Sequence, residues 1–356
     1  MGTYIIAEAG VNHNGDINLA KKLIDIAKQS NVNAVKFQTY KTELIVSKYA
    51  SKAKYQVENT GNNESQSEML KKLELSFHQF YDLKKYCESC EIEFLSTPFD
   101  NESADFLIDE LGMETVKIPS GEITNGPFLL HLAKKRKKYI ISTGMSNIGE
   151  IEEMLGVMAF GLLNTQVQPS RTAFKSAYYS PEGQALLKEH VMLLHCTTEY
   201  PAPVNEINLL AINSLKMAFD LGVGYSDHTN GISIPIAAAA LGAKVIEKHI
   251  TYDKNAEGPD HKASLSPEEL NLMVKGIREV ELALGNSKKI PSPSEIKNIQ
   301  VARKSIVAKK AIKSGEHYSE ENLIIKRPGT GISPMKYWDL LGKEAEVDYS
   351  QDEEIK

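Results

Sequence analysis

A short run of apolar residues that ends in polar or ionisable residues recurs eight times along the chain. Each run is short enough to be a strand buried in a parallel sheet. The pattern therefore predicts eight buried strands whose ends carry polar side chains. The runs begin at Tyr4, Ala34, Phe94, Val116, Tyr139, Val191, Val223 and Val245.

Segments with a helical spacing of apolar residues separate these runs. Strands that alternate with helices indicate βαβ units and a parallel sheet, and eight units within residues 1–285 predict a (β/α)8 TIM barrel. An open doubly wound sheet is the alternative, but it should carry a Gly-rich phosphate turn after an early strand, and none is evident. The predicted helices cover 17–29, 77–90, 103–111, 127–133, 148–160, 209–219 and 232–241, with candidate N-caps at Asp16, Ser103, Ser146 and Ser266.

Two insertions and a tail extend the barrel pattern. Residues 41–73 follow the second strand on the face where barrel active sites form, so we expect them to belong to the site; a surface loop is the alternative. Residues 164–189 precede the sixth strand and so enter from the opposite face of the barrel. This position favours a peripheral insertion or a subunit contact over a catalytic role. After residue 285, the Pro- and Ser-rich segment 286–300 is typical of a linker. Residues 301–356 predict a small second domain. Because a domain of this size is only marginally stable by itself, we expect it to pack against another protein surface.

Composition and charge exclude several classes of function. The net charge is −6, so the chain lacks the basic field of a nucleic-acid-binding protein. No apolar run approaches the roughly 20 residues of a membrane helix. The first residues show no secretory signal, so we expect a cytoplasmic protein. Three cysteines argue against a disulfide framework, and the lone Cys87/Cys90 pair is more typical of one helix face than of zinc.

Polar residues at the C-terminal ends of the strands indicate catalytic residues, because the βα loops of a barrel form its active site there. His228 and His249 end consecutive strands, and neighbouring strands lie about 4.8 Å apart, so their imidazoles can converge. Two neutral imidazoles suit a divalent transition metal with open positions for water and substrate. Glu8 ends the first strand, beside the eighth, and could bind the metal indirectly or orient a sugar hydroxyl.

Lys36 and Lys117 lie within or just after apolar strands. A buried ammonium needs a partner, because its desolvation is costly. A bound anion would satisfy both lysines; an internal salt bridge with Glu122 or Glu8 is the alternative. Ser120 and Ser142 follow the same strands, and their hydroxyls suit phosphate or carboxylate oxygens.

Taken in order, these motifs resemble the bacterial sialic acid synthase family. The tail from Ala302 to Gly331 is similar to that family's antifreeze-like (SAF) domain, so the resemblance covers nearly the whole chain. The matching segments lie at 7–15, 35–39, 96–99, 117–122, 142–145, 195–201, 226–228, 247–249 and 258–260.

The resemblance implies that phosphoenolpyruvate condenses with the open-chain aldehyde of an N-acetylated amino sugar. It implies Mn²⁺, with Mg²⁺ or Co²⁺ as alternatives, held by His228 and His249. It also implies a domain-swapped homodimer in which each SAF domain covers the other barrel. The implied catalytic residues are Glu8, Glu122 and Arg327. Those for phosphoenolpyruvate are Lys36, Thr97, Lys117, Ser120, Ser142 and Ser226, and those for the sugar are Gln38, Tyr200, Asp260 and Arg327.

The acceptor sugar stays open at this point. N-acetylmannosamine, which gives N-acetylneuraminate, is the default expectation. N,N'-diacetyllegionaminic acid synthesis from 2,4-diacetamido-2,4,6-trideoxymannose is the alternative, and Thr198, where some members carry Asn, leaves the choice open. A metal-dependent sugar isomerase fits the paired lysines poorly, because a neutral sugar brings no anion. A non-catalytic sugar-binding protein would leave the ionisable strand ends unexplained.

Overall fold

The computed structural model describes residues 2–60 and 64–356. The chain divides into two units, Met1–Gly285 and Asn286–Lys356. Each unit has a hydrophobic core of its own. Part of the predicted linker is helical, because residues 293–302 form a capped helix that belongs to the second unit. Among the described residues, none of the helices is apolar over the length that crossing a bilayer requires.

The first unit is the predicted TIM barrel. Its strands are parallel and hydrogen-bond in the order β3-β2-β1-β8-β7-β6-β5-β4, and β3 lies beside β4, so that the ring nearly closes. Most strand residues are buried, as expected where helices cover the outer face of a parallel sheet. The strands are β1 Tyr4–Gly10, β2 Ala34–Thr39, β3 Glu93–Pro98, β4 Thr115–Ile118, β5 Lys138–Ser142, β6 Val191–Cys196, β7 Gly222–Asp227 and β8 Val245–His249.

The helices up to residue 241 follow the predicted segments closely, with additional short helices in both insertions. Helix α13 (Pro267–Leu284), the longest of the unit, was not among the predicted segments, although its N-cap Ser266 was. A π-helical turn, Phe106–Glu110, continues α6. The helices are α1 Ile17–Gln29, α2 Thr42–Ile45, α3 Lys54–Thr60, α4 Gln66–Leu73, α5 Phe77–Ser89, α6 Asn101–Asp105, α7 Gly126–Lys134, α8 Ile148–Leu163, α9 Arg171–Tyr179, α10 Pro181–His190, α11 Ala211–Phe219, α12 Ser233–Ala240 and α13 Pro267–Leu284.

Helix capping agrees with two of the four predicted N-caps. Asp16 accepts a hydrogen bond from the Asn18 amide, and Ser266 caps α13. The other two predictions were wrong: Asp100 caps α6, and Asn147 caps α8. In both cases the structure uses a nearby Asp or Asn, whose side chain also accepts from the first helical turn.

The two insertions occupy different places. Helices α2 to α4 follow β2, at the C-terminal ends of the strands. Helices α9 and α10 pack against α8, whose residues are apolar around most of its circumference. A helix that is apolar on nearly every face requires cover on its outer side, and α9 and α10 supply it.

The second unit is small and mixed. It contains α14 Pro293–Ala302, the antiparallel strands β9 Ser305–Ala308 and β10 Leu323–Lys326, and α15 Tyr337–Leu340. Its core includes Ile306, Ile312, Leu323 and Tyr349.

Candidate active site

A cavity of about 400 Å³ opens at the C-terminal ends of the barrel strands. Every site residue predicted from the sequence lines it, except Arg327. The strand pleat explains the convergence, because alternate residues of each strand point into the barrel. The predicted residues in the wall are Glu8, Lys36, Gln38, Thr97, Lys117, Ser120, Glu122, Ser142, Tyr200, Ser226, His228, His249 and Asp260.

Buried charges form a chain across the floor of this cavity. The ammonium of Lys36 lies 2.5 Å from Glu8 Oε2 and 3.6 Å from Glu247 Oε2. Lys117 Nζ lies 3.5 Å from Glu247 Oε1 and donates to Ser142 Oγ at 2.7 Å. Both lysines are therefore paired internally, with Glu8 and Glu247 rather than with Glu122.

Glu247 is the site residue that the sequence reasoning missed. It stands two positions before His249 on β8, so the pleat turns both side chains into the cavity. Ser226 donates a hydrogen bond to its Oε1 at 2.8 Å. Its position two residues before His249, a predicted metal ligand on the same strand, was the sequence signal that could have identified it.

The two carboxylates differ in their electrostatic surroundings. Burial raises the pKa of Glu8 to about 7, although the Lys36 ammonium opposes this effect. Burial would also raise the pKa of Glu247, but the ammoniums of Lys117 and Lys36 outweigh it and lower the pKa to about 2. Glu247 therefore stays ionised, while Glu8 can exchange a proton near neutral pH.

His228 and His249 face one another at the ends of β7 and β8, with ring centroids 5.6 Å apart. The Nδ1–H of His228 donates to the Thr197 carbonyl at 2.6 Å, which leaves its Nε2 as an acceptor. Burial lowers the pKa of His228 to about 4 and that of His249 well below its usual value. Both imidazoles are thus held neutral, the form that binds metals.

The pair fits a divalent metal by its chemistry. His249 Nδ1 is buried and has no hydrogen-bond partner, an orphan that a bound cation would satisfy. Gly10, with a positive φ of 53°, leaves room where an added Cβ would lie 3.4 Å from both Glu8 Oε1 and the His249 ring. No cluster of three or more His, Cys, Asp or Glu side chains within 2–60 and 64–356 forms a ready metal site. This chain would therefore supply two imidazoles and leave other positions to groups from outside.

A hydroxyl-lined corner lies beside Lys117. Ser120 Oγ accepts a hydrogen bond from the Gly144 amide at 3.0 Å and lies 3.1 Å from Cys196 Sγ. An added Cβ on Gly144 would lie only 2.4 Å from Thr198 Oγ1, so the close approach requires glycine. Thr97 accepts from Lys36 Nζ at 2.9 Å on the other side. These donors and ammoniums suit the oxygens of an anion.

Other residues that line the cavity are polar or aromatic. Gln38 Nε2 donates to Glu8 Oε1 at 3.3 Å, and the Tyr200 ring packs on His228 with centroids 4.1 Å apart. Asp260 is buried, which raises its pKa to about 6. The 41–73 insertion contributes an apolar flank to the same cavity, formed by Ile45, Val46, Met69, Leu70 and Leu73.

Two predicted residues are placed less centrally. Glu122 lines the cavity, but it is only half buried and accepts a hydrogen bond from Asn125 at 2.6 Å. Arg327 belongs to the second unit, where it is exposed and its Nε donates to the Ala302 carbonyl at 3.1 Å. The other predicted site residues all belong to the first unit.

Comparison with known proteins agrees with this geometry. The model of the NeuB family matches residues 23–289, and that of the SAF domain matches residues 303–355. The chain is 53% identical over 354 residues to N,N'-diacetyllegionaminic acid synthase of Campylobacter jejuni, which covers 99% of both chains. It is 45% identical to N,N'-diacetyllegionaminic acid synthase of Legionella pneumophila, over 98% of this chain and 92% of that one.

A solved structure shares the fold. The crystal structure of N-acetylneuraminic acid (sialic acid) synthetase from Leptospira borgpetersenii, in complex with citrate, superposes with a TM-score of 0.66. The two are 34% identical, and the match covers 84% of this chain and 90% of that one. The chain belongs to the NeuB family of nonulosonic acid synthases and carries a C-terminal SAF domain.

Proposed function

We propose that this enzyme is an N,N'-diacetyllegionaminic acid synthase, which condenses phosphoenolpyruvate with 2,4-diacetamido-2,4,6-trideoxymannose and releases phosphate. The names of the relatives at 53% and 45% identity favour this acceptor over N-acetylmannosamine, the default expectation from the sequence. The apolar flank supports the same choice, because C6 of a 6-deoxy sugar is a methyl group, whereas C6 of N-acetylmannosamine carries a hydroxyl.

The assignment of phosphoenolpyruvate rests on one observation: two ammoniums, Lys36 and Lys117, lie buried at the floor of the cavity beside serine and threonine hydroxyls. Phosphoenolpyruvate carries a phosphate and a carboxylate, and each would exchange its hydration for these donors. We assign Lys36, Thr97, Lys117, Ser120, Ser142 and Ser226 to this anion. Gln38, Tyr200 and Asp260 would face the sugar.

The reaction forms one C–C bond and one C–O bond and breaks one C–O bond. C3 of phosphoenolpyruvate attacks the aldehyde carbon, water adds at C2, and the C2–O bond to phosphate breaks, so that phosphate departs with the former enol oxygen. The two protons of the added water end on the aldehyde oxygen and on the departing phosphate. We assign the base for that water to Glu8 rather than Glu122, because burial brings its pKa near neutrality. Glu247 stays anionic and stabilises positive charge that develops at C2.

We further propose that His228 and His249 hold a divalent ion, Mn²⁺ or alternatively Mg²⁺ or Co²⁺. Such an ion would act as a Lewis acid on the aldehyde. The orphaned Nδ1 of His249 supports this assignment. We also propose a domain-swapped homodimer, in which Arg327 of a second copy completes the sugar site. The exposure of Arg327, and of Met335 and Trp338 in the same unit, supports it.

An acceptor panel tests the function. Phosphate release is measured with phosphoenolpyruvate, excess Mn²⁺ and either 2,4-diacetamido-2,4,6-trideoxymannose or N-acetylmannosamine. We expect kcat/KM for the 6-deoxy acceptor to exceed that for N-acetylmannosamine by at least about tenfold. The reverse order would make the enzyme an N-acetylneuraminate synthase, and turnover of a sugar without phosphoenolpyruvate would point to an isomerase.

A further inference from the structure

A second buried ion pair lies behind the two histidines, on the side of the strands that faces the helices. Asp227 precedes His228 and Lys248 precedes His249, so the pleat turns both away from the cavity. Lys248 Nζ lies 2.6 Å from Asp227 Oδ2, and neither side chain is exposed to solvent. The two residues are register partners across β7 and β8.

This ion pair forms hydrogen bonds with Thr229, the residue that follows His228. Asp227 Oδ1 accepts from the Thr229 amide at 3.0 Å, and Oδ2 accepts from the Thr229 hydroxyl at 3.1 Å. Lys248 Nζ also donates to the Thr229 carbonyl. The residue after His228 is therefore held at its N–H, its side chain and its C=O. The Tyr225 hydroxyl donates a further hydrogen bond to Asp227 Oδ1 at 2.9 Å.

Stability alone gives little reason for this arrangement. Desolvation of two charges is costly, and well-packed apolar residues of similar volume are often at least as stabilising as a buried ion pair. What the pair adds is a fixed relation between the end of β7 and the end of β8. His228 and His249 are the next residues on those two strands.

We propose that Asp227 and Lys248 are positioning residues that fix His228 relative to His249 and thereby set the affinity for the divalent ion. The inference rests on the proposed metal site. Residues that orient metal ligands without touching the metal typically change its affinity by about 10- to 100-fold when they are replaced.

The test measures Mn²⁺ binding to the metal-free, full-length protein by titration calorimetry, with folding followed by urea denaturation. The Asp227→Leu/Lys248→Met double variant replaces the pair with apolar side chains, and Thr229→Val removes only the hydroxyl contact. We expect Kd to weaken by about 10- to 100-fold in the double variant and severalfold in Thr229→Val. Lys254→Met, which breaks a half-exposed pair with Glu269, is the control and should keep the wild-type Kd.

The outcomes distinguish a failure of the positioning role from a failure of the proposed metal site. A folded double variant, or a Thr229→Val variant, with the wild-type Kd overturns the positioning role and leaves the metal site intact. If the double variant does not fold, Thr229→Val alone decides. Wild-type protein that binds no Mn²⁺, or whose binding survives both His228→Ala and His249→Ala, overturns the proposed metal site and this inference with it.

Discussion

The imidazole of His228 meets that of His249 edge-on, with ring centroids 5.6 Å apart, and burial holds both rings neutral. We therefore predict that His249→Ala abolishes stabilisation by Mn²⁺ and lowers synthase activity by about 10³-fold or more, because the Lewis acid is lost. Wild-type protein should gain about 2.7 kcal/mol at a Mn²⁺ concentration 100 times Kd. Thermal unfolding with and without Mn²⁺ measures the difference.

His195 provides the control for that experiment. It lies on β6, one residue before the strand ends. Its Nε2 contacts the Ile207 carbonyl at 2.6 Å, and it does not line the cavity. His195→Gln should keep the Mn²⁺ response. A His249→Ala protein that is still stabilised by Mn²⁺ would show that the ion binds elsewhere.

Glu247 is predicted to stabilise the unliganded fold, because it neutralises Lys36 and Lys117 together. Glu247→Gln should lower the free energy of unfolding by about 3–5 kcal/mol, as expected when one partner of a buried ion pair is removed. Added phosphate should restore more stability to this variant than to the wild type, because it supplies the missing negative charge. Urea denaturation with and without phosphate measures both effects.

The control is Glu43→Gln, which removes an exposed partner 3.5 Å from Lys71. Exposed ion pairs contribute at most about 1 kcal/mol, so this change should be nearly neutral. Equal stability of Glu247→Gln and Glu43→Gln would contradict the central role of Glu247.

Much of the site was predictable because barrel geometry converts a local pattern into a shared location. A polar residue after an apolar run, such as Lys36 or His228, must lie at the mouth once the run is a barrel strand. Partner choice was not predictable in the same way. Whether Lys117 pairs with Glu122, close in sequence, or with Glu247, on a strand far along the chain, depends on distances that only the closed barrel sets.

The insertion after β2 shows a second limit. Its length and position indicated a role at the mouth, but its polar composition hid α4, whose Met69, Leu70 and Leu73 lie on one helix face. Arg327 marks a third limit. Its proposed role rests on the family resemblance, because a contact between two copies would leave no periodic signal in one chain.

Two buried histidines outside the cavity wall, His13 and His261, should contribute to acid sensitivity. His228 and His249, whose pKa values are also lowered by burial, should add to it. Burial lowers the pKa of His13 to about 4 and that of His261 to about 4. Unfolded histidine titrates near 6.5, so between pH 6.5 and 4 the unfolded state binds more protons and stability falls as the pH falls. At pH 5 each histidine should cost about 2 kcal/mol relative to pH 7.5.

His13→Gln should therefore reduce the loss of unfolding free energy between pH 7.5 and pH 5.0 by about 2 kcal/mol. Comparing each protein with itself at two pH values cancels the packing cost of the substitution. His78→Gln, at an exposed position, should show the wild-type pH dependence. An unchanged pH dependence in His13→Gln would mean that His13 does not cause the sensitivity.

The apolar flank should select the acceptor. Leu70 is half buried and faces the cavity, so Leu70→Gln is expected to lower kcat/KM for 2,4-diacetamido-2,4,6-trideoxymannose by about tenfold, the effect of one methyl contact. N-acetylmannosamine should be affected much less. Leu44→Gln is the matched control, because Leu44 belongs to the same insertion but is 51% exposed and lies outside the cavity wall. Equal losses for both acceptors would remove the flank from acceptor selection.

The proposed swap predicts complementation between two inactive proteins. Arg327→Ala should retain folding and Mn²⁺ binding but lose activity, because the substituted side chain is exposed within its own unit. Mixed with His249→Ala, it should form hybrid dimers in which one barrel has both histidines and receives Arg327 from the other chain. Random exchange then restores about a quarter of the wild-type sites in a twofold-symmetric dimer. Differently tagged chains establish exchange, and Lys310→Ala, an exposed change in the same unit, should stay active throughout. Proven exchange without recovered activity would place Arg327 in the site of its own chain, or in none.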